Sequence, residues 1–152
     1  MNAKAYLNQV RLLDLRINTK LDRIARLRAL AQKVTATTDG EIVNKTRNIS
    51  SLQDQIIRLM EEEESLNRAI DQLIDLKKEV SEVLTLINDP ECELLLELRY
   101  LCYRGWDDIA GVMNYHLRTV HKIHGHALQK LNEALNSEKY REIHEKWAQK
   151  GT

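Results

Sequence analysis

Phenylalanine is absent from this chain of 152 residues, proline occurs once and glycine five times. Tight hairpins draw on glycine and proline, and sheet cores draw on aromatic and β-branched side chains, so a sheet-based fold is excluded. Leu, Ile, Ala, Glu, Lys and Arg dominate instead, which predicts an all-α protein. Cysteine is scarce too: Cys92 and Cys102 are too few and too close in sequence for a disulfide framework or a zinc site. They are expected as small core residues in a reducing cytoplasm. No charge is in surplus, because 23 Lys and Arg balance 23 Asp and Glu, so any surface for a polyanion has to be a local asymmetry. Nowhere do about eighteen apolar residues follow one another, the length a membrane-spanning helix needs. The first ten residues, with Lys4 among them, carry no signal-like apolar run. The expectation is a cytoplasmic protein without a membrane partner.

What is present is unevenly distributed. Only Tyr6 among the seven aromatic residues precedes residue 89, while Tyr100, Tyr103, Trp106, Tyr115, Tyr140, Trp147 and all five histidines follow it. The single proline, Pro90, stands at this break behind Asp89, the pair expected of an N-cap and a first helical residue. We therefore place the boundary between segments 1–88 and 89–152 there. Upstream, Leu7, Val10, Leu13, Ile17, Leu21, Ile24, Leu27 and Ala31 recur at spacings of three and four, predicting one long helix over 3–33. Residues 34–50 turn to Thr, Asp, Gly, Asn and Ser, predicting a loop.

A second helix is predicted over about 52–87. Its positions 52, 59, 66, 73, 80 and 87 are Leu, Leu, Leu, Leu, Val and Ile, and only Glu63 and Lys77 interrupt the companion series 56, 63, 70, 77 and 84. That is a coiled-coil seam. At about 1.5 Å per residue this helix needs a partner of similar length, and the first helix supplies one in an antiparallel hairpin. Charge supports the pairing, since residues 1–33 hold eight basic and two acidic groups and a fold-back brings Lys20, Arg23 and Arg26 towards Glu61, Glu62, Glu63 and Glu64. Leu12, Leu15, Leu30, Ile57, Leu76 and Val83 remain as apolar flanks, predicting that two hairpins join as a homodimeric four-helix bundle, the alternative being a monomeric hairpin folded against its own C-terminal domain.

Downstream of Pro90 three helices are predicted, near 90–104, 106–113 and 116–135, with residues 136–152 prolonging the last or docking elsewhere. Asn114 tolerates the left-handed conformation that a sharp helix-to-helix turn requires. Ile109, Ala110 and Met113 before it, and Val120 and Ile123 after it, fall where two short helices crossing steeply touch, the pattern of a helix-turn-helix. The opposite face of the later helix holds Leu117, Arg118, His121 and Lys122, then Gly125, Gln129 and Lys130. No acidic residue occurs from Ile109 to Asn132, a run of 24 residues, and this is the local asymmetry that marks a polyanion-facing surface. Arg118 and Lys122 at the start of a helix that fits the major groove can reach base edges, while Thr119 and Lys130 are better placed for phosphates.

The stretches ELLLELRYL, GWDDIAGVMNY and RTVHKIHGHALQKL resemble the fourth region of sigma-70-type sigma factors, which reads an upstream promoter element. With AYLNQVRLLDLRINTKLDRIARLRALAQKVT and IDQLIDLKKEV added, nearly the whole chain resembles small phage and prophage regulators of the ArpU/RinA type. The resemblance implies a sigma-like DNA-binding domain behind a coiled-coil region, acting on phage gene expression in contact with RNA polymerase. Its recognition helix begins at His116, with base-facing positions at Leu117, Arg118, His121 and Lys122. Leu117 and Arg118 depart from the basic and acidic residues usual in sigma factors, which points away from the promoter element itself.

Other functions find less support. His121 and His124 stand one helical turn apart, but the acid-free run holds no carboxylate to complete a metal set, so neither metal nor cofactor is expected. No phosphate loop or nucleophile motif is present, so no enzyme is expected. The rival is a structural or adaptor protein whose coiled coil binds a partner and whose helix-turn-helix domain does not bind DNA.

Overall fold

The computed structural model describes residues 2–36 and 42–150. Among them every regular element is helical: α1 (Ala3–Ala36), α2 (Ile42–Leu84), a short 3-10 turn (Thr85–Ile87), α3 (Pro90–Leu96) continued by a wide π turn (Glu97–Leu101), α4 (Trp106–Met113), α5 (Leu117–Leu135) and α6 (Glu138–Lys150). The protein is therefore all-α. Two compact units form, one from Met1–Asp14 with Gln72–Thr152 and the other from Leu15–Asp71. This division follows packing and cuts both long helices, whereas the sequence boundary at 88–90 follows composition.

In the first unit α1 starts on the Asn2 side chain, which accepts the Ala5 N–H at 2.8 Å and so satisfies a helix-end donor. Its Tyr6, Leu7 and Val10 share one buried cluster with Val80, Val83 and Leu84 of α2, Leu95 and Leu96 of α3, Ile109 of α4, and Val120, Ala127 and Leu131 of α5. Each fully buried Leu or Val contributes about 1.5–3 kcal/mol by leaving water. After the 3-10 turn the chain reverses through Asn88, left-handed at φ 55°, and Asp89 then caps α3, accepting the Cys92 N–H at 3.3 Å. The π turn closes with the Cys102 N–H on the Glu97 carbonyl at 2.9 Å. Lys77, an interruption of the seam by sequence, donates to the Leu101 carbonyl at 3.3 Å and lies 4.8 Å from the Tyr103 ring.

In the second unit the two long helices run antiparallel. From Lys20, which donates to Ser65 at 2.7 Å, to Arg23, which meets Glu62 at 3.1 Å, numbers rise on one helix as they fall on the other, and the long Arg28 side chain meets Glu63 at 2.8 Å. Arg28 rather than Arg26 joins the glutamate run, which gives Glu63 its reason for standing in the seam. Ile17, Ile24 and Ala69 are buried here, with Leu27, Leu59 and Leu66 half-buried.

Four expectations are corrected. The loop expected over 34–50 shrinks, because 34–36 and 42–50 are helical and only 37–41 lie outside the described residues. A nucleated helix gains one hydrogen bond per added residue, and Thr, Asn and Ser cost only tenths of a kcal/mol each relative to Ala, about 0.7 at most. Val83 and Leu76, expected as dimer flanks, belong to the first unit's own core, Val83 fully buried and Leu76 packed against it. Cys102 is exposed, while Cys92 is buried, and burial pushes the Cys92 thiol up to about 11. The tail does not prolong α5. It breaks at Asn136 and Ser137, whose hydroxyl accepts the Tyr140 N–H at 3.3 Å, and restarts as α6.

The buried face of α5 is expected to dominate its stability. Leu131→Ala should cost about 2–5 kcal/mol, and Leu117→Ala, on the exposed side of the same helix, should stay within about 0.5 kcal/mol; urea unfolding of the two variants checks the contrast.

Candidate nucleic-acid interface

The turn between α4 and α5 is three residues long and closes on one carbonyl. Asn114 is left-handed at φ 58° and ψ 43°, and its N–H together with that of Tyr115 (3.1 Å) is directed at the Ala110 oxygen. Asparagine tolerates this conformation at modest cost, which lets it stand where glycine is commoner. His116 is extended and its carbonyl accepts the Val120 N–H at 3.1 Å, opening the first turn of α5. Ile109 and Val120 are fully buried, and Ala110, Met113 and Ile123 pack against the same cluster. These are the five inner positions that the sequence pattern singles out.

With that face buried, α5 turns the other outward. Arg118, His121, Lys122, Gly125, His126 and Gln129 are exposed, Leu117 is 42% exposed and Thr119 is half-buried. Arg118, Lys122, Gly125 and Gln129 recur at spacings of four, three and four, so they form one stripe along the helix. A β-carbon built at Gly125 meets nothing within 4 Å. None of the described residues therefore requires glycine there, and its effect is to leave a shallow, side-chain-free step in the stripe.

Lys130 is placed differently. Its ammonium lies 2.8 Å from the Asp89 carboxylate that caps α3. That contact, followed by the Cys92 N–H, lowers the Asp89 carboxyl to about 2, and the same carboxylate raises the Lys130 ammonium. Lys130 ties α5 to the start of α3 and is not a free cation. His121 is held as well. Its ring centroid is 4.7 Å from that of Trp106, which also meets His124 at 4.6 Å, while the Arg99 guanidinium lies 4.3 Å over the same indole. The Tyr100 hydroxyl and His124 Nε2 are hydrogen-bonded at 2.8 Å. Burial first, then the charges of Lys4, Arg99 and His121, lowers the His124 imidazole to about 4, which keeps it neutral.

This stack of Arg99, Trp106, His121, His124 and Tyr100 escapes sequence reasoning, although the signal is there. Trp106 opens α4, and the two histidines three apart on α5 are the pair weighed as metal ligands. Both meet the Trp106 indole, and His124 also meets the Tyr100 phenol.

Comparison with known proteins finds no matching family model, no matching curated protein and no matching solved structure.

Two outcomes follow from the stack and the step. The folded chain keeps His124 neutral down to about 4, whereas an unfolded imidazole titrates near 6.5. The unfolded state therefore binds more protons between those values, and this part of the stability is intact above pH 6.5 and declines as pH falls towards 4. Urea midpoints of wild type and His124→Gln should converge over that interval, and curves that run parallel would refute the assignment. Gly125→Ala should raise stability by up to about 1 kcal/mol, the helix-propensity difference, as read from thermal unfolding.

Proposed function

We propose that this protein is a sequence-specific DNA-binding transcriptional regulator of phage or prophage genes that docks α5 in the major groove and acts as a homodimer. The observation that carries the reading is the exposed stripe of Arg118, Lys122, Gly125 and Gln129, lying inside an acid-free run and backed by a buried face on a tight left-handed turn. Helix-turn-helix proteins use this arrangement to present the first turns of a helix to base edges. In this reading α3 to α5 form the sigma-like domain and α1 with α2 the coiled-coil hairpin, as the resemblance to sigma region four and to ArpU/RinA-type regulators implies.

Roles divide by geometry. Arg118 and Lys122 read bases, Arg118 through its bidentate fork. Thr119, half-buried at the first turn, meets phosphate. Leu117 offers an apolar contact of the kind that suits a thymine methyl, and His121, its ring against Trp106, stiffens the start of the helix while its edge faces outward. Lys130 is the clamp to Asp89, not a phosphate ligand.

Fluorescence-anisotropy titration on prophage promoter fragments across a salt series tests these roles. Arg118→Ala should cost about 1–3 kcal/mol on a cognate site and relax preference at one base pair. Lys122→Ala should weaken the cognate site and relax preference at a second base pair. Lys130→Ala should leave the salt slope alone and lower the stability. If wild type and the Arg118 and Lys122 variants bind every duplex equally weakly while remaining folded, the adaptor reading takes over.

A further inference from the structure

A cavity of about 310 Å³ opens where the start of α1, the later part of α2 and α6 meet, all within the first unit. Ligand pockets run upward from about 300 Å³, so it has room for a small molecule. Its wall combines three aromatic residues, Tyr6, Tyr140 and Trp147, with two carboxylates, Asp75 and Glu79, and no lysine or arginine lines it. The two carboxylates stand one turn apart on α2 and share one face of that helix. Glu79 is buried and accepts from the Tyr6 hydroxyl at 2.9 Å and from His144 Nδ1 at 2.6 Å. Asp75, half-buried beside it in sequence by one turn, makes no hydrogen bond or ion pair among the described residues.

We infer that this cavity binds a small organic cation, an alkylammonium with N–H donors, whose charge is met by Asp75 and Glu79 and whose carbon chain lies against the aromatic wall. The chemistry of the wall selects that class. An anion would meet two carboxylates with no lysine or arginine in the wall to offset them. A metal ion would need a fuller set of ligands, and no group of three His, Cys, Asp or Glu among the described residues is placed to hold one. An ammonium carries three donors, and a carboxylate has about four acceptor sites, so Asp75 and the unused positions on Glu79 can both take part. Aromatic faces attract cations. The Trp147 indole already draws two from the chain itself, Lys146 at 5.3 Å and Lys150 at 4.4 Å from the ring centroid. Neither lines the cavity, and Lys146 is committed to Glu82 at 3.1 Å. Because the wall comes from three helices, an occupant bridges α6 to α1 and α2 and stabilises the folded chain according to its affinity. The site does not depend on how α5 is read.

Isothermal titration calorimetry of the full chain with putrescine, a diamine, at constant ionic strength tests the site, with the matching diol as the uncharged control. Wild type should bind the diamine saturably and the diol not at all, and its thermal midpoint should rise with diamine concentration. Asp75→Asn removes the charge, keeps the shape and breaks no contact of the fold, so it should bind about tenfold more weakly or worse while remaining folded by circular dichroism. Asp54→Asn, at an exposed acid of the other unit, should bind as wild type does. Absence of saturable binding to wild type overturns the site. Equal affinity in wild type and Asp75→Asn overturns it too, as does an equal loss in both variants, which is the mark of general attraction to acidic surface. Magnesium that displaces the diamine at equal ionic strength, and does so only when Asp75 is present, overturns the organic cation in favour of a metal ion.

Discussion

The outward face of α5 exists because its inward face is buried. Val120, Ala127 and Leu131 are wholly removed from water, and a helix committed on one side by three such residues cannot rotate without exposing them. Rotation by one residue, about 100°, would bring Arg118 or Lys122 towards the core, where an unpaired charge costs several kcal/mol. Burial thus sets which residues are presented, and the left-handed Asn114 sets where the helix begins. The Lys130–Asp89 ion pair fastens α5 to α3 in addition. The acid-free stripe can be shaped for a ligand because hydrophobic packing holds the helix.

Polar contacts do a different job, fastening elements whose apolar faces are small. The clearest is the buried carboxylate of Glu79, 5% exposed, which accepts from the Tyr6 hydroxyl at 2.9 Å and from His144 Nδ1 at 2.6 Å. Burial and the nearby carboxylate raise the Tyr6 phenol far above its ordinary value, so it stays a donor. A buried carboxylate left without donors would be strongly destabilising, and α6 supplies one of the two. Its Tyr140 also packs edge-on to Tyr6, ring centroids 5.8 Å apart. Residues 138–150 show mainly polar side chains and no buried residue, yet they help satisfy the one buried carboxyl among the described residues.

These contacts explain what was legible in the sequence and what was not. Helix content, the Asp89 cap, the Asn114 turn and the inner positions Ile109 and Val120 were readable because each depends on residues within one or two turns. The start of α2 was misjudged for a related reason: Thr, Asn and Ser are weak evidence against a helix that length and cooperativity favour. Lys130 read as a free cation and is not one, since its partner Asp89 lies 41 positions away and no local pattern announces that contact. The same holds for Tyr6 with Glu79 and His144. Long-range polar pairing is set by which elements pack together, and the seam periodicity of α2 said nothing of α6.

The zero net charge is a sum over sorted parts. Residues 15–33 carry Arg16, Lys20, Arg23, Arg26, Arg28 and Lys33 against Asp22, and the facing stretch of α2 carries four consecutive glutamates. Part of that positive charge is spent inside the unit, on Glu62 and Glu63. The α5 stripe holds no acid from Arg118 to Gln129, and Asp89, which meets α5 at Lys130, is already paired there. Exposed charges farther off than about 10 Å are largely screened at ordinary ionic strength, so the field above Arg118 and Lys122 is set by their immediate neighbours and not by the balanced total. Pairing Lys130 with Asp89 therefore has a second effect beside fastening α5 to α3. It offsets a carboxylate that lies against α5 and would otherwise add negative charge beside that helix.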